Sequence, residues 1–366
     1  MQPEKKRRIS RKGILMLTII GVVLIVLVVG LVLLLSRGQN VEETLTPQPF
    51  SSDDQYFALG NNIVYAQEDL LTCIDSSLET VWQLQIFTSD FRLETRDSVI
   101  AIVGDNFVQA IDADGKHLCS TQTEGIIRDV RVCKNKFAAH IDRENGDDTL
   151  SYIVIFDMNA NNIYQVKITG RHMLDFGFDA QSDLLYILEL DATGAAPVSR
   201  ISTYRPETES MTSIKEQKGQ LISELFMLEE SVYTMSTSQL TIYPPRGADK
   251  RETMVYGWVL EDSFLEDDPK FVYIPTQNAQ GDIDTVRIVK ASGGETTINL
   301  PPEVFRVLHT GERIYGFASR NIFVYTSEGK YMRTHELPFE IDTVEKAMER
   351  FVFITVDQTV YLLPLP

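Results

Sequence analysis

The sequence has few of the residues that cross-link small secreted domains. Among its 366 residues are three cysteines, Cys73, Cys119 and Cys133. This small, odd number does not provide a disulfide framework, so we expect free cysteines that are buried as small apolar side chains. No Asn-x-Ser/Thr sequon occurs in the chain. The absence of an acceptor site favours a bacterial envelope over a eukaryotic secretory lumen.

The motifs that usually announce catalysis or cofactor binding are also missing. The chain contains no G-x-S-x-G, H-E-x-x-H, Walker A or G-x-G-x-x-G sequence. Its five histidines are scattered without the convergent spacing that a zinc site requires: His117, His140, His172, His309 and His335. We therefore expect no enzyme activity, no cofactor and no resident metal.

Basic residues are scarce outside the first part of the chain. Residues 1–37 hold seven Lys/Arg and one acidic residue, whereas the remainder holds 27 Lys/Arg against 51 Asp/Glu, a formal net charge of −24. Nucleic-acid binding needs a basic footprint, so the acidic portion is not expected to bind nucleic acid. Its charge is typical of a soluble, exposed domain.

One long apolar run is present. Residues 13–35 carry no charge, and a helix of this length is about 34 Å long, enough to cross a bilayer core. A cleaved signal peptide is the alternative, but its apolar region is shorter and ends at small residues. The basic residues before the run predict a cytoplasmic tail at 1–12, a single-pass plasma-membrane signal anchor at 13–35, and an extracytoplasmic remainder. Residues 36–55, with Pro47 and Pro49, read as a stalk or linker to a domain at 56–366.

A degenerate repeat fills this domain. Short Val/Ile/Tyr/Phe runs, typical of strands, precede turns at intervals of 36 to 48 residues, with long helical patterns missing; Val344 to Arg350 could form a helical turn or two. This period predicts an all-β fold, a β-propeller with eight blades, or seven as the alternative because residues 171–219 and 258–302 are irregular. The segment Leu45–Phe50 is expected to add a fourth strand to the last blade. The turns are anchored at Asp75, Asp112, Asp157, Arg205, Pro244, Lys290, Thr326 and Leu363.

Two of these units resemble a known repeat. Ile111-Asp112-Ala113-Asp114-Gly115-Lys116, and Ile74-Asp75 followed by Trp82, are similar to the turn of quinoprotein-type (PQQ-like) propellers, in which an apolar-Asp turn and a Gly precede a blade-closing Trp. The whole layout resembles an uncharacterised family of membrane-anchored propellers from Gram-positive bacteria. It is also similar to the envelope scaffold propeller of the outer-membrane assembly machinery. These resemblances imply a fold and a location, and they carry no catalytic residue to this chain.

Acidic turns provide the remaining candidate sites. The weak calcium candidates are Asp142, Glu144, Asp147 and Asp148, which offer hard oxygen ligands around Gly146 without EF-hand spacing. A solvated hairpin tip is the favoured interpretation of this loop. Strand alternation places His140 and Asp142 on one face, as a surface pair in preference to a catalytic dyad. Glu261-Asp262 with Glu266-Asp267-Asp268 is interpreted as a solvated charge run, with paired acid and base catalysis as the less favoured alternative.

The sequence thus favours a membrane-anchored extracytoplasmic β-propeller that acts as a protein-interaction scaffold in the cell envelope, with an envelope protein as partner. The alternative is a ligand-binding or sensory ectodomain for a wall polymer or small molecule. An enzyme with a pocket in the propeller funnel is third, and a convergent cluster of Asp, His and Arg on the innermost strands would favour it.

Overall fold

The computed structural model describes residues 45–366, except 89, 97, 147, 180, 246–248, 266–267, 280 and 312. The compact unit that contains the sheets is Pro47–Pro366. The predicted tail and signal anchor lie outside the described residues. No helix within the described part of the chain is both long and apolar enough to span a bilayer.

The described residues form 32 strands in eight four-stranded antiparallel sheets, which are the blades of an eight-bladed β-propeller. The strands of the closing segment and of blades 1 to 4 are β1 (Pro47–Ser51); β2 (Gln55–Leu59), β3 (Asn62–Gln67), β4 (Leu70–Ile74), β5 (Thr80–Gln85); β6 (Arg92–Arg96), β7 (Val99–Val103), β8 (Phe107–Asp112), β9 (His117–Gln122); β10 (Ile126–Cys133), β11 (Lys136–Asn145), β12 (Asp148–Asp157), β13 (Asn162–Ile168); β14 (His172–Phe178), β15 (Leu185–Asp191), β16 (Val198–Arg205), β17 (Ser210–Lys218).

The strands of blades 5 to 8 are β18 (Ile222–Leu228), β19 (Ser231–Ser236), β20 (Gln239–Tyr243), β21 (Arg251–Met254); β22 (Trp258–Phe264), β23 (Lys270–Pro275), β24 (Thr285–Lys290), β25 (Glu295–Asn299); β26 (Val304–Thr310), β27 (Arg313–Ala318), β28 (Asn321–Thr326), β29 (Tyr331–Glu336); β30 (Thr343–Met348), β31 (Phe351–Val356), β32 (Thr359–Pro364). Short 3-10 helices lie at Pro206–Thr208 and Thr276–Asn278.

The prediction of eight blades is confirmed, and the irregular units at 171–219 and 258–302 each contain four strands. The first strand of each blade is innermost, because the first strands of neighbouring blades contact one another. One expectation was wrong: Val344 to Arg350 is not helical, since most of it is the inner strand β30. Burial explains the difference, because Val344 is 4% exposed and pairs with Ile354 of β31.

The first strand closes the ring. β1 pairs with β32 and completes blade 8, as expected for the segment Leu45–Phe50, so the predicted stalk range 36–55 overlaps the propeller. The buried Phe50 lies 4.8 Å from Tyr56 and 5.0 Å from Tyr65, both in blade 1, and 6.3 Å from Phe353 in blade 8, between ring centroids. This aromatic cluster joins the first and last blades through packing as well as hydrogen bonds.

The predicted Asp turns connect the third and fourth strands of the first three blades. The Asp112 carboxylate accepts the backbone N–H groups of Asp114 at 3.0 Å and Lys116 at 2.9 Å, and Gly115 has φ +74°. Asp75 and Asp157 make the same pair of bonds with the residues two and four positions later. The interpretation of Asp112 as a turn residue instead of a calcium ligand therefore matches the hydrogen bonding observed.

Trp82 of blade 1 packs on the Asp112 turn of blade 2. Its indole Nε1 donates to the backbone oxygen of Ala113 at 2.9 Å, and a Cβ on Gly115 would lie 2.7 Å from the indole Cδ2. Only glycine allows the ring to approach this closely. At the corresponding turn of blade 3, Ala160 stands in the place of Gly115 and has φ +64°. It belongs to the same apolar cluster as the partly buried Leu118 of blade 2. The quinoprotein-like docking is thus present at Trp82, whereas Trp258 lies on an inner strand.

Candidate functional site

Successive strands run in opposite directions, so the turns and links between them lie on two distinct faces of the propeller. Each blade begins at the face where the previous blade ends, and we call this the connection face; it contains the links at 86–91, 219–221 and 255–257. The opposite side, the turn face, contains the Asp turns. β1 begins at the turn face, and the chain ends there: Arg313, at a turn between the first two strands of blade 7, donates to the backbone oxygen of Pro366 at 2.7 Å. The two faces therefore differ in which parts of the chain they expose.

The inner strands of blades 2 to 4 bring three carboxylates to one arginine. The Arg131 guanidinium lies 2.7 Å from Asp129, 3.5 Å from Glu94 and 3.6 Å from Asp175. Its Cζ is 5.5 Å from the ring centroid of Phe176, and the hydroxyl of Tyr186 donates to Asp175 at 3.2 Å. One cation thus links three neighbouring blades at the central channel.

Burial shifts the protonation of these carboxylates. Desolvation raises the pKa of Asp175 and that of Glu94, and the positive charge of Arg131 opposes both increases. Removing Arg131 would leave three partly buried anions together, so this arginine stabilises the inner strands. The cluster has part of the composition that would favour an enzyme, carboxylates and an arginine. His140, on the second strand of blade 3, is the register partner of Asp129, and its Nε2 lies 3.5 Å from Asp142.

A second charged network joins blades 6, 7 and 8. Glu261 accepts from Arg306 at 2.7 Å, and Asp262 accepts from Lys346 at 2.6 Å and from the backbone N–H of His309 at 2.7 Å. The interpretation of Glu261-Asp262 as part of a solvated charge run was therefore wrong. These two residues lie on β22, not in a turn; Asp268 instead accepts from Ser292 at 3.0 and 2.9 Å, and Glu266 and Asp267 lie outside the described residues.

A β-bulge explains why both Glu261 and Asp262 reach the neighbouring blades. Consecutive side chains of a regular strand point to opposite faces, but the register of β22 shifts between Leu260 and Asp262. Comparable shifts occur in five other inner strands, β10, β14, β18, β26 and β30. Bulges therefore determine which charged side chains are oriented along the blade interfaces near the channel.

His309 is buried between the second network and an aromatic ring. It is 1% exposed, its ring centroid lies 4.7 Å from that of Phe264, and neither ring nitrogen has a hydrogen-bond partner in the described part of the chain. Burial, together with the charges of Lys270 and Lys346, lowers the pKa of His309 to about 4. The ring is therefore neutral at physiological pH.

The calcium candidates do not converge. Asp142 accepts from Arg128 at 2.7 Å and from Ser151 at 2.5 Å, and its Oδ1 lies 3.5 Å from Nε2 of His140. Glu144 and Asp148 are exposed near the tip of the β11–β12 hairpin, and Asp147 lies outside the described residues. Within the described ranges no group of three or more His, Cys, Asp or Glu side chains could hold a metal ion.

The predicted pair of His140 and Asp142 is present on one face of β11, partly buried between blades. Burial lowers the pKa of His140. The three cysteines are buried and free, as expected, and burial raises the pKa of Cys73 to about 11, so its thiol is protonated and unreactive at neutral pH.

The connection face exposes apolar side chains. Phe87 is 94% exposed in the link from blade 1 to blade 2, and Tyr256 is 78% exposed in the link from blade 5 to blade 6. Met254, next to that link, and Leu221, in the link from blade 4 to blade 5, are also exposed. Aromatic residues and Met are enriched at protein–protein interfaces, so these links are candidate contact points on the connection face. Strand patterns could not reveal this set, because single apolar residues in links follow no period.

Comparisons with known proteins agree with the fold. A family model described as "Family of unknown function (DUF5711)" matches residues 37–362. No curated protein matches. Among solved structures, BamB from Moraxella catarrhalis is similar, with 14% identity over 88% of this chain and 100% of that one and a TM-score of 0.53.

Two further structures share the architecture. The computationally designed Ika8 protein has 14% identity over 88% of this chain and 99% of its own, with a TM-score of 0.56. Apo AztD from Citrobacter koseri has 10% identity over 83% of this chain and 91% of its own, with a TM-score of 0.53. At these identities the likeness concerns the fold alone.

Proposed function

The chain belongs to the DUF5711 family, and from that premise we propose that it is a protein-interaction scaffold of the bacterial cell envelope. In this proposal residues 13–35 anchor it in the plasma membrane and the propeller lies outside the cytoplasm. The supporting observation is the exposed apolar set of the connection face, Phe87, Leu221, Met254 and Tyr256. Propeller neighbours often mediate protein interactions, which supports the same class of function.

The partner in this proposal binds one of the two faces. Strand β1 begins at the turn face at Pro47, and we propose that the partner binds the opposite, connection face. The partner we propose buries Tyr256 and the adjacent Met254, and it reaches Phe87 through a second, separate contact, because the links that carry Phe87 and Tyr256 lie four blades apart in the ring. Charge steers the encounter, because the acidic propeller attracts a partner with a basic rim around those contacts.

The charged channel supports a structural role in this scaffold. Glu94, Asp129 and Asp175 are engaged by Arg131, and Glu261 and Asp262 are engaged by Arg306 and Lys346. Such pairing holds neighbouring inner strands in register, which keeps the connection-face links at constant separation. We therefore assign recognition to the connection face and rigidity to the channel.

The proposal is tested by crosslinking in intact membranes followed by purification of the tagged chain. Tyr256→Ser and Phe87→Ser should reduce recovery of the crosslinked partner, because buried aromatic side chains dominate interface energies. Tyr331→Ser is the matched control: Tyr331 is 52% exposed and begins β29 at the turn face. Equal recovery from the Tyr256 and wild-type chains, or equal loss from the Tyr331 control, would contradict the assignment of the binding face.

A further inference from the structure

A cavity lined by both polar and apolar side chains lies between blades 4 and 5. It has a volume of about 500 Å³, within the usual range for small-molecule sites. Its walls come from β16 and β17 of blade 4 and from β19 and β20 of blade 5, and it opens toward the turn face beside Arg205, Glu230 and Pro244. It is distinct from the channel and from the connection face.

The outer half of this blade interface is unusually polar. Six of the fifteen buried polar residues in the described part of the chain lie there: Ser199, Thr203, Gln217, Thr234, Ser236 and Thr241. The interface between blades 1 and 2, by contrast, is filled by apolar residues such as Val64, Leu71 and Ile102. Between blades 4 and 5, buried apolar residues such as Leu188, Leu225 and Val232 pack mainly on the inner strands, and polar side chains take their place farther out.

Hydroxyl groups line one wall of the cavity. The Thr203 Oγ1 lies 2.8 Å from Thr212 Oγ1 and 2.8 Å from Ser213 Oγ. Gln217, on the same strand as Thr212 and Ser213, donates across the interface to the hydroxyl of Tyr243 on the opposite wall at 3.1 Å. Each hydroxyl can both donate and accept, so the wall can bond to further hydroxyls or to an anion.

Lys215 supplies a positive charge without a counter-ion. Its Nζ donates to Ser213 Oγ at 3.0 Å and lies 5.7 Å from the ring centroid of Tyr243. No carboxylate in the described ranges lies within ion-pair distance of this ammonium. Arg205, at the mouth, is 3.6 Å from Glu230, so the cavity has two cations and one carboxylate. A partly desolvated cation without an anion is unfavourable, and a bound anion would remove this cost.

We propose that this cavity binds a small hydroxylated anion, with its phosphate or carboxylate group on Lys215 and its hydroxyls on Thr203, Thr212 and Ser213. The charge of Lys215 selects the anion, and the hydroxyl wall selects a polyol over an apolar acid. Phosphate and carboxylate share this chemistry, so two ligand probes distinguish them. The site is independent of the protein-binding proposal, because it opens on the other face.

The test is isothermal titration of the purified full-length chain with glycerol 3-phosphate, with gluconate and with uncharged glycerol. We expect saturable binding of at least one anion and none of glycerol. Lys215→Met should weaken binding roughly tenfold or more, as expected for the loss of a charge-assisted hydrogen bond. Lys218→Met is the matched control, because Lys218 ends the same strand but is exposed and lies outside the cavity.

Two further measurements separate binding from folding. Thr203→Val removes one hydroxyl at nearly constant volume and should weaken binding severalfold; it decides the question if the Lys215 variant does not fold. Burial lowers the pKa of Lys215, so affinity should fall as the pH rises through that pKa. The proposal is overturned if neither anion binds saturably, or if the Lys215 and Lys218 variants bind equally well.

Discussion

Phe50→Ala should open the seam between the first and last blades. Phe50 is 4% exposed, and truncating a buried Phe to Ala costs about 3–5 kcal/mol through lost burial and the cavity that remains. The three aromatic contacts of Phe50 place the expected cost toward the upper end of that range. Because β1 is held to blade 8 by pairing with one strand, β32, the loss should concentrate at this seam.

Phe137→Ala is the matched control. Phe137 is fully buried and stacks on Phe156 at 4.9 Å within blade 3, so its truncation carries a similar transfer and cavity cost. Denaturant unfolding should give similar losses of stability for the two variants. Native-state hydrogen exchange should separate them, with faster exchange in β1 and β32 for Phe50→Ala and in blade 3 for Phe137→Ala.

The reasoning is refuted by either of two results. A loss below about 1 kcal/mol for Phe50→Ala would show that the aromatic cluster adds little to closure. Unchanged exchange in β1 and β32 would show that the ring closes without dependence on this residue.

Three other predictions follow from the structure and the sequence. Gly115→Ala should destabilise the protein by about 2–3 kcal/mol in denaturant unfolding, because a Cβ would clash with Trp82 and φ is +74°. Gly146→Ala is the control for the backbone cost alone, because Gly146 has φ +68° and open space around it. Equal losses of stability in the two variants would refute the docking of Trp82 on Gly115. Lowering the pH from 6.5 toward 4 should cost about 3 kcal/mol at His309, because the unfolded state binds a proton that the buried ring does not. His309→Phe should reduce the loss of unfolding free energy between pH 7.5 and pH 5. His172→Phe is the control and should leave that loss unchanged, because His172 is exposed. An unaltered pH dependence in His309→Phe would contradict the burial argument. Protease added to intact spheroplasts should digest residues 38–366, and full protection would end the proposed topology.

The repeat architecture could be predicted from the sequence because local turn chemistry carries it. Asp112 and Gly115 form a turn whose hydrogen bonds and positive φ depend on these two residue types, so the turn recurs wherever the pattern does. The closing strand β1 could be predicted because the last repeat unit in the sequence contains only three strand patterns. A four-stranded blade then needs a further strand from the segment Leu45–Phe50. The longest interval, from Asp157 to Arg205, contains the loop at 192–197 between β15 and β16, and a short 3-10 helix follows Arg205 in place of the Asp turn.

The charged networks could not be predicted in the same way. Glu261 and Asp262 were interpreted as a solvated run because charge runs in turns are usually solvated. The bulge that turns both side chains toward the neighbouring blades has no local sequence signal. The cavity beside Lys215 depends on which strands of blades 4 and 5 face each other. Such pairings arise only when the ring closes, so they lie beyond the reach of local patterns.

The sharing of blade 8 by β1 and β32 also sets the order of events during synthesis. β1 emerges from the ribosome early, yet its pairing partner comes from the last residues of the chain. Until β32 is made, β1 has no edge on which to pair, and the inner blades can fold only as an open arc with exposed ends. A chain truncated before Thr359 therefore cannot close the ring in the native way and leaves unpaired strand edges for proteases. Closure of the ring therefore requires translation through β32.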